Sequence, residues 1–218
     1  MSEKVLNKIL EDKIIAIVRG IPSSQIAGLA QALNKGGIHC IEITFDQSAP
    51  EKLEETLKSI RTVKELFGGE ILAGAGTVMS SEQVELAAEA GAEYTISPNV
   101  NESVIRKTKE LGLVSIPGAM TPSEAAQAYE WGADIVKIFP AGNLGPSYIK
   151  AIKAPLKHIP LTAVGGVNVE NCVEFIKAGC CGVACGGNLV SAKLINEGRF
   201  DEITELAKAY VKALRSEV

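Results

Sequence analysis

Short apolar runs alternate along this chain with stretches in which apolar positions recur every three or four residues, and the alternation persists from one end to the other. The runs cover residues 14–19, 40–45, 71–78, 94–97, 114–117, 135–139, 161–164 and 182–185, and each reads as a strand: too short for a buried helix and rich in β-branched side chains. Residues 24–35, 51–67, 81–90, 102–111, 123–131, 147–153, 169–178 and 200–214 carry the helical period between and after them. Glycine stands just past most of these helices, at Gly36-Gly37, Gly68-Gly69, Gly91, Gly112, Gly132 and Gly179, where a left-handed residue closes the last turn. Pro22-Ser23-Ser24, Ser80-Ser81-Glu82, Thr121-Pro122-Ser123-Glu124 and Asn168 supply caps, prolines or acids at helix starts.

Parallel strands need a crossover of about a dozen residues, and a helix of that length follows most of the runs. Eight strand–helix units within 218 residues predict a (β/α)8 TIM barrel, with residues 2–12 as an extra N-terminal helix. An open doubly wound sheet is the alternative. Composition does not shift along the chain and no linker interrupts it, so one barrel domain over residues 1–218 is predicted.

The sixth run breaks its own pattern. Residues 134–140, Asp-Ile-Val-Lys-Ile-Phe-Pro, are apolar on both faces of the strand except at Lys137. Burial disfavours the ammonium form, and the neutral amine it favours is a nucleophile toward carbonyl carbon; the alternative is a lysine that snorkels to water. In the second run, alternation sends Ile41, Ile43 and Phe45 one way and Glu42 and Thr44 the other, so Glu42 is expected inside the barrel, a side also open to Lys137. Such a pair is either a structural ion pair or a nucleophile with its acid/base.

Barrels place function where strands end. Gly165-Gly166 follow the seventh strand, ahead of Asn168 and a predicted helix, and Gly186-Gly187 follow the eighth, so both pairs offer bare amides for a phosphate. Gly74-Ala75-Gly76-Thr77-Val78 lacks the spacing of a dinucleotide loop, and its small residues are expected to let a ligand approach, with Thr77 offering a hydroxyl. Arg19 closes the first run with a fork suited to carboxylate or phosphate, or stands there as a surface arginine.

Bulk properties narrow the classes. A net charge of −4 with scattered basic residues offers no surface for nucleic acid or an anionic membrane. Residues 1–5 lack a signal-peptide stretch and no run is long enough to span a membrane, so a cytoplasmic protein is expected. The cysteines, Cys40, Cys172, Cys180, Cys181 and Cys185, form no C-x-x-C pair and read as reduced buried thiols. His39 and His158 share no ligand spacing with acids or thiols, so neither a metal site nor a histidine base is predicted.

Six motifs in order, Ile-Glu-Ile-Thr-Phe (41–45), Gly-Ala-Gly-Thr-Val (74–78), Ile-Ser-Pro-Asn (96–99), Ile-Pro-Gly-Ala-Met-Thr-Pro-Ser-Glu (116–124), Val-Lys-Ile-Phe-Pro-Ala (136–141) and Val-Gly-Gly-Val (164–167), resemble the 2-keto-3-deoxy-6-phosphogluconate / 2-keto-4-hydroxyglutarate aldolases. The resemblance implies a class I aldolase without metal or cofactor, assembled as a homotrimer of barrels. It would cleave 2-keto-3-deoxy-6-phosphogluconate to pyruvate and glyceraldehyde 3-phosphate, and 4-hydroxy-2-oxoglutarate to pyruvate and glyoxylate. It places the Schiff-base lysine at Lys137, the proton-shuttling glutamate at Glu42 and a carboxylate-holding hydroxyl at Thr77. Pro98 and Phe139 become pocket walls, Gly165, Gly166, Gly186 and Gly187 the phosphate cradle, and Arg19 a basic strand-end position. Three positions depart from the pattern: Asp46 replaces a common arginine, which passes carboxylate recognition to Arg19, while Val164 and Gly187 replace a threonine and a serine near the C4 hydroxyl. Valine at 164 resembles the aldolases for the galactonate-derived epimer, the alternative substrate. Rival readings are a phosphosugar epimerase or isomerase, which needs no lysine buried in the sixth strand, and a non-catalytic sugar-phosphate sensor.

Overall fold

The computed structural model describes residues 2–216. Its strands are β1 (Ile14–Val18), β2 (Cys40–Thr44), β3 (Leu72–Gly76), β4 (Tyr94–Ile96), β5 (Val114–Ile116), β6 (Gly118–Ala119), β7 (Val136–Ile138), β8 (Leu161–Val164) and β9 (Gly182–Cys185). All pair in parallel, in the order β5-β4-β3-β2-β1-β9-β8-β7-β6. The two outermost strands are parted only by Pro117, which has no N–H to give a ladder; the first fills the strand predicted over 114–117, and the second continues beyond it. Because the first half pairs β4 and the second pairs β7, the sheet closes on itself with eight barrel positions. Carbonyls hold the seam: Ser115 O accepts from Asp134 N at 3.0 Å and Pro117 O from Lys137 N at 2.9 Å. The predicted (β/α)8 barrel is thus the architecture.

Helices α1 (Ser2–Asp12), α2 (Ser23–Lys35), α3 (Leu53–Phe67), α4 (Ser81–Glu89), α5 (Glu102–Glu110), α6 (Pro122–Glu130), α7 (Ala141–Lys153), α8 (Cys172–Lys177), α9 (Ala192–Asn196) and α10 (Phe200–Arg215) complete the fold. Strand alternation divides the apolar residues into two layers. Ile14, Ala16, Ile41, Ile43, Ala73, Val136, Ile138 and Val183 face the helices, while Ile15, Cys40, Tyr94, Ile96, Val114, Ile116, Ile135, Val164 and Ala184 fill the barrel. Val5 and Ile9 of α1 join the inner layer and close the end where strands begin. Helix ends follow the expected chemistry: Thr121 and Glu124 form a reciprocal capping box, and Gly179 turns the chain after α8 at φ +108°.

Among the departures from the predicted elements, four have a clear local cause. The seventh helix starts earlier than the predicted 147, at Ala141, and is broken at Gly145 (φ +78°) before Pro146, which is why its periodicity begins at 147. The eighth starts later, at Cys172, because Asn168 Oδ1 accepts from Glu170 N (2.9 Å) and Asn171 N (3.0 Å) and holds a turn instead. A short helix over Ala192–Asn196, capped by Ser191, occupies a stretch for which the sequence pattern predicts a loop. The third strand ends at Gly76, since Thr77 takes a left-handed φ of +55° that no strand continues.

Candidate active site

A cavity of about 680 Å³ opens at the end of the barrel where strands finish, and all eleven site residues expected from the sequence line it. Lys137 and Glu42 form its charged floor. Both are buried, at 7% and 2% exposure, and both lie on the inner parity of their strands. Each is registered against a glycine of the neighbouring strand, Lys137 opposite Gly118 and Glu42 opposite Gly74.

The two are coupled in charge without touching: among the described residues no hydrogen bond or ion pair within 4.0 Å joins them, and Glu42 Oε2 has no partner. Loss of water dominates their electrostatics. Burial lowers the Lys137 ammonium from its ordinary value, against the opposing pull of Glu42, and Arg19 lowers it further. Burial raises the Glu42 carboxyl, outweighing Lys137 and Arg19, which pull it down. Both shifts run toward the neutral amine and the protonated acid, the forms a carbonyl-attacking nucleophile and a general acid need. The Phe139 ring lies over Lys137, with Nζ 5.1 Å from its centroid.

The glycines of the third strand do something other than expected. A Cβ on Gly74 would lie 2.1 Å from the Tyr94 ring, and one on Gly76 would lie 2.0 Å from Glu42 Oε1. Their missing side chains admit these two groups rather than a ligand. Thr77 itself lines the cavity. So does Arg19, which forms no ion pair among the described residues. Asp46 does not: its Oδ1 is taken by Ser48 N (3.0 Å) and Ser48 Oγ (2.6 Å), bonds that hold its carboxyl below the usual range.

Both glycine pairs line the opposite side of the cavity. Gly165 and Gly166 have φ of +87° and +73°, and the loop they form sits against α7, with Gly142 N donating to Gly165 O at 2.7 Å. Among the described residues the N–H groups of Gly166, Val167, Gly187 and Asn188 donate to no protein acceptor, leaving four amides available to an anion. The helix expected directly behind the first pair begins only at Cys172, so no helix N-terminus stands directly behind these amides. Asn188 Nδ2 donates to Val167 O at 3.0 Å and ties the two loops together. It escaped the sequence reading, though its place directly after Gly186-Gly187 marks it. Ile17 and Ala184, also unforeseen, follow from inner-face alternation.

The remaining chemistry-bearing residues lie elsewhere. His39 Nδ1 stands 3.0 Å from Asp12 Oδ2 at the closed end, and His158 packs edge-on against Tyr129. All cysteines are free, with burial pushing Cys180 and Cys185 up to about 12 and Cys181 up to about 11. Among the described residues no group of three or more His, Cys, Asp or Glu is placed to hold a metal ion, and no helix is long and apolar enough to cross a membrane.

Comparison with known proteins bears on what this cavity does. The family model described as KDPG and KHG aldolase matches residues 5–206. The chain is similar to the 2-dehydro-3-deoxy-6-phosphogalactonate aldolase of Escherichia coli, at 38% identity over 93% of this chain and 96% of that one. It is 30% identical to the 2-dehydro-3-deoxy-phosphogluconate aldolase of Haemophilus influenzae, over 98% of each. Its fold superposes with a TM-score of 0.85 on the KDPG aldolase of Legionella pneumophila, at 26% identity and covering 94% and 97% of the two chains. In that structure pyruvate is captured as a covalent carbinolamine.

Proposed function

The chain belongs to the KDPG and KHG aldolase family, and from that membership and the cavity's geometry we propose that it reversibly cleaves 2-keto-3-deoxy-6-phospho sugar acids to pyruvate and glyceraldehyde 3-phosphate. The observation that carries the reading is a lysine and a glutamate buried on one cavity floor without an ion pair between them. Neutral Lys137 attacks the C2 ketone, Glu42 in its acid form gives its proton to the carbinolamine hydroxyl, and loss of water leaves an iminium and the Glu42 carboxylate. Glu42 takes the C4 hydroxyl proton as the C3–C4 bond breaks and its electron pair moves into the iminium. The aldehyde leaves, the enamine regains a proton at C3 from Glu42, and water releases pyruvate. Thr77 and Arg19 receive the carboxylate end, and the free amides of the two glycine loops the phosphate end. Pro98 and Phe139 wall the chain between them. Shorter 2-keto-4-hydroxy acids such as 4-hydroxy-2-oxoglutarate use the same lysine and glutamate. The homotrimeric assembly and cytoplasmic setting that the resemblance implies belong to the same reading.

Two observations bring in the galactonate-derived epimer as a second substrate. Val164 lines the cavity with an apolar surface, and the 38% identical relative is named for that epimer. A site that offers no hydroxyl at 164 leaves the C4 configuration weakly discriminated, so both epimers are cleaved within about tenfold of each other.

Incubation with pyruvate and borohydride tests the central step. One reduced pyruvate per chain should map by mass spectrometry to the peptide containing Lys137, and Lys137→Ala should remove label and turnover together. Label on another lysine, or none, overturns the mechanism.

A further inference from the structure

Thr77 is the one described cavity residue that combines a β-branched side chain with a left-handed backbone, at φ +55°. That conformation is rare for a β-branched residue and persists only where neighbouring contacts impose it. Its backbone neighbours are fixed in the barrel: Gly76 O accepts from Phe45 N at 2.9 Å, and Val78 N donates to Ile96 O at 3.1 Å. Thr77 is flipped between these two anchors, which takes its carbonyl out of the ladder. Gln47 receives that carbonyl, its Nε2 donating at 2.7 Å.

Gln47 is itself held. Its amide and that of Gln83 pair reciprocally, Gln47 Nε2 to Gln83 Oε1 at 3.2 Å and Gln83 Nε2 to Gln47 Oε1 at 3.1 Å. Gln83 is rooted in the first turn of α4, where its backbone N–H donates to the capping Ser80 Oγ at 3.2 Å. Its Oε1 also accepts from Met79 N at 2.7 Å, a capping box displaced by one residue. A continuous set of hydrogen bonds therefore runs from a helix end through two amides to the carbonyl of Thr77.

We infer that Gln47 and Gln83 are positioning residues that fix the flipped Thr77 peptide and so aim its hydroxyl at the carboxylate of the keto acid. The inference rests on the reading of Thr77 given above. It also accounts for the loop after β2: with Asp46 folded back on Ser48, the adjacent Gln47 does the loop's work at the site indirectly, through Thr77. Gln47 is exposed, so its bonds add little stability, and orientation is what the pair supplies.

The test follows the aldol direction, with pyruvate and glyceraldehyde 3-phosphate varied separately. Gln47→Ala and Gln83→Ala should each raise KM for pyruvate about three- to tenfold, the effect of one lost hydrogen bond. KM for the aldehyde should stay within about twofold, and Tm within about 2 °C, as for a surface change. Gln47→Glu should behave like Gln47→Ala, since a carboxylate cannot donate to the Thr77 carbonyl. Thr77→Val should raise the pyruvate KM by itself, and adding Gln47→Ala to it should change KM less than twofold further. If Thr77→Val raises the pyruvate KM and neither glutamine variant does, the inference is overturned while the role of Thr77 stands. If Thr77→Val has no effect, the Thr77 reading fails and the inference with it. Additive effects, or parallel losses in both KM values and in Tm, would show that the glutamines act elsewhere or only on stability.

Discussion

The two ends of the barrel treat buried charge in opposite ways. At the closed end Asp12, with a side chain 4% exposed, is met by Lys8 Nζ at 2.8 Å, His39 Nδ1 at 3.0 Å and the Cys40 thiol at 3.7 Å. At the open end Glu42 and Lys137 are buried as deeply, yet neither is hydrogen-bonded to the other and one carboxylate oxygen has no partner. A buried charge lacking its partner costs several kcal/mol, so folding alone gives no reason to keep this pair. The difference separates a carboxylate met on three sides by protein groups from a buried pair that no ion pair joins, which the proposed function assigns to a substrate.

The largest effect that would break this contrast is catalytic. Glu42→Gln keeps shape but cannot shuttle a proton, and should lower turnover by a factor of about 10² to 10⁴ while pyruvate trapping on Lys137 persists. Steady-state turnover beside borohydride labelling checks it; unchanged turnover would make Glu42 a structural acid.

Next comes stability, where the two ends should respond with opposite sign. Asp12→Asn at the closed end should cost about 1–3 kcal/mol in urea unfolding, with activity of the folded protein within about twofold of wild type. Lys137→Met at the open end should be neutral or stabilising by up to about 2 kcal/mol, with Glu42 taking up its proton. The pH dependence sharpens this. Glu42 is raised on folding, so its contribution is fully present below its ordinary value near 4.5 and lost as pH rises through the folded value. Lys137 is lowered, so its contribution is present above 10.5 and lost as pH falls through the folded value. Unfolding free energies measured from pH 4 to 10 should therefore show Glu42→Gln gaining on wild type toward high pH and Lys137→Met toward low pH.

The smallest effect is on stereochemistry. Val164→Thr adds one hydroxyl to the cavity wall and should shift the ratio of kcat/KM for the two C4 epimers toward the gluconate-derived one by about 1 kcal/mol, several-fold. A wild type that already discriminates more than about a hundredfold would mean that some other contact sets the configuration.

Much of this was legible before any coordinates. Alternation in residues 41–45 put Glu42 inside, the apolar setting of Lys137 marked it as unusual, and glycines after helices set the rhythm of the barrel. These are local consequences of period and of backbone sterics, which neighbouring residues carry by themselves. The sequence alone thus determined the eight-unit order, the parity of the second strand and the identity of the two charged residues. Tertiary structure decided the rest, because it depends on which strands lie side by side. Registration of Glu42 against Gly74 and of Lys137 against Gly118, and the use of Gly74 and Gly76 to seat Tyr94 and Glu42, are cross-strand facts. The link from Gln83 through Gln47 to the carbonyl of Thr77 joins residues up to 36 positions apart, and a side-chain amide leaves no periodic mark that would reveal its partner.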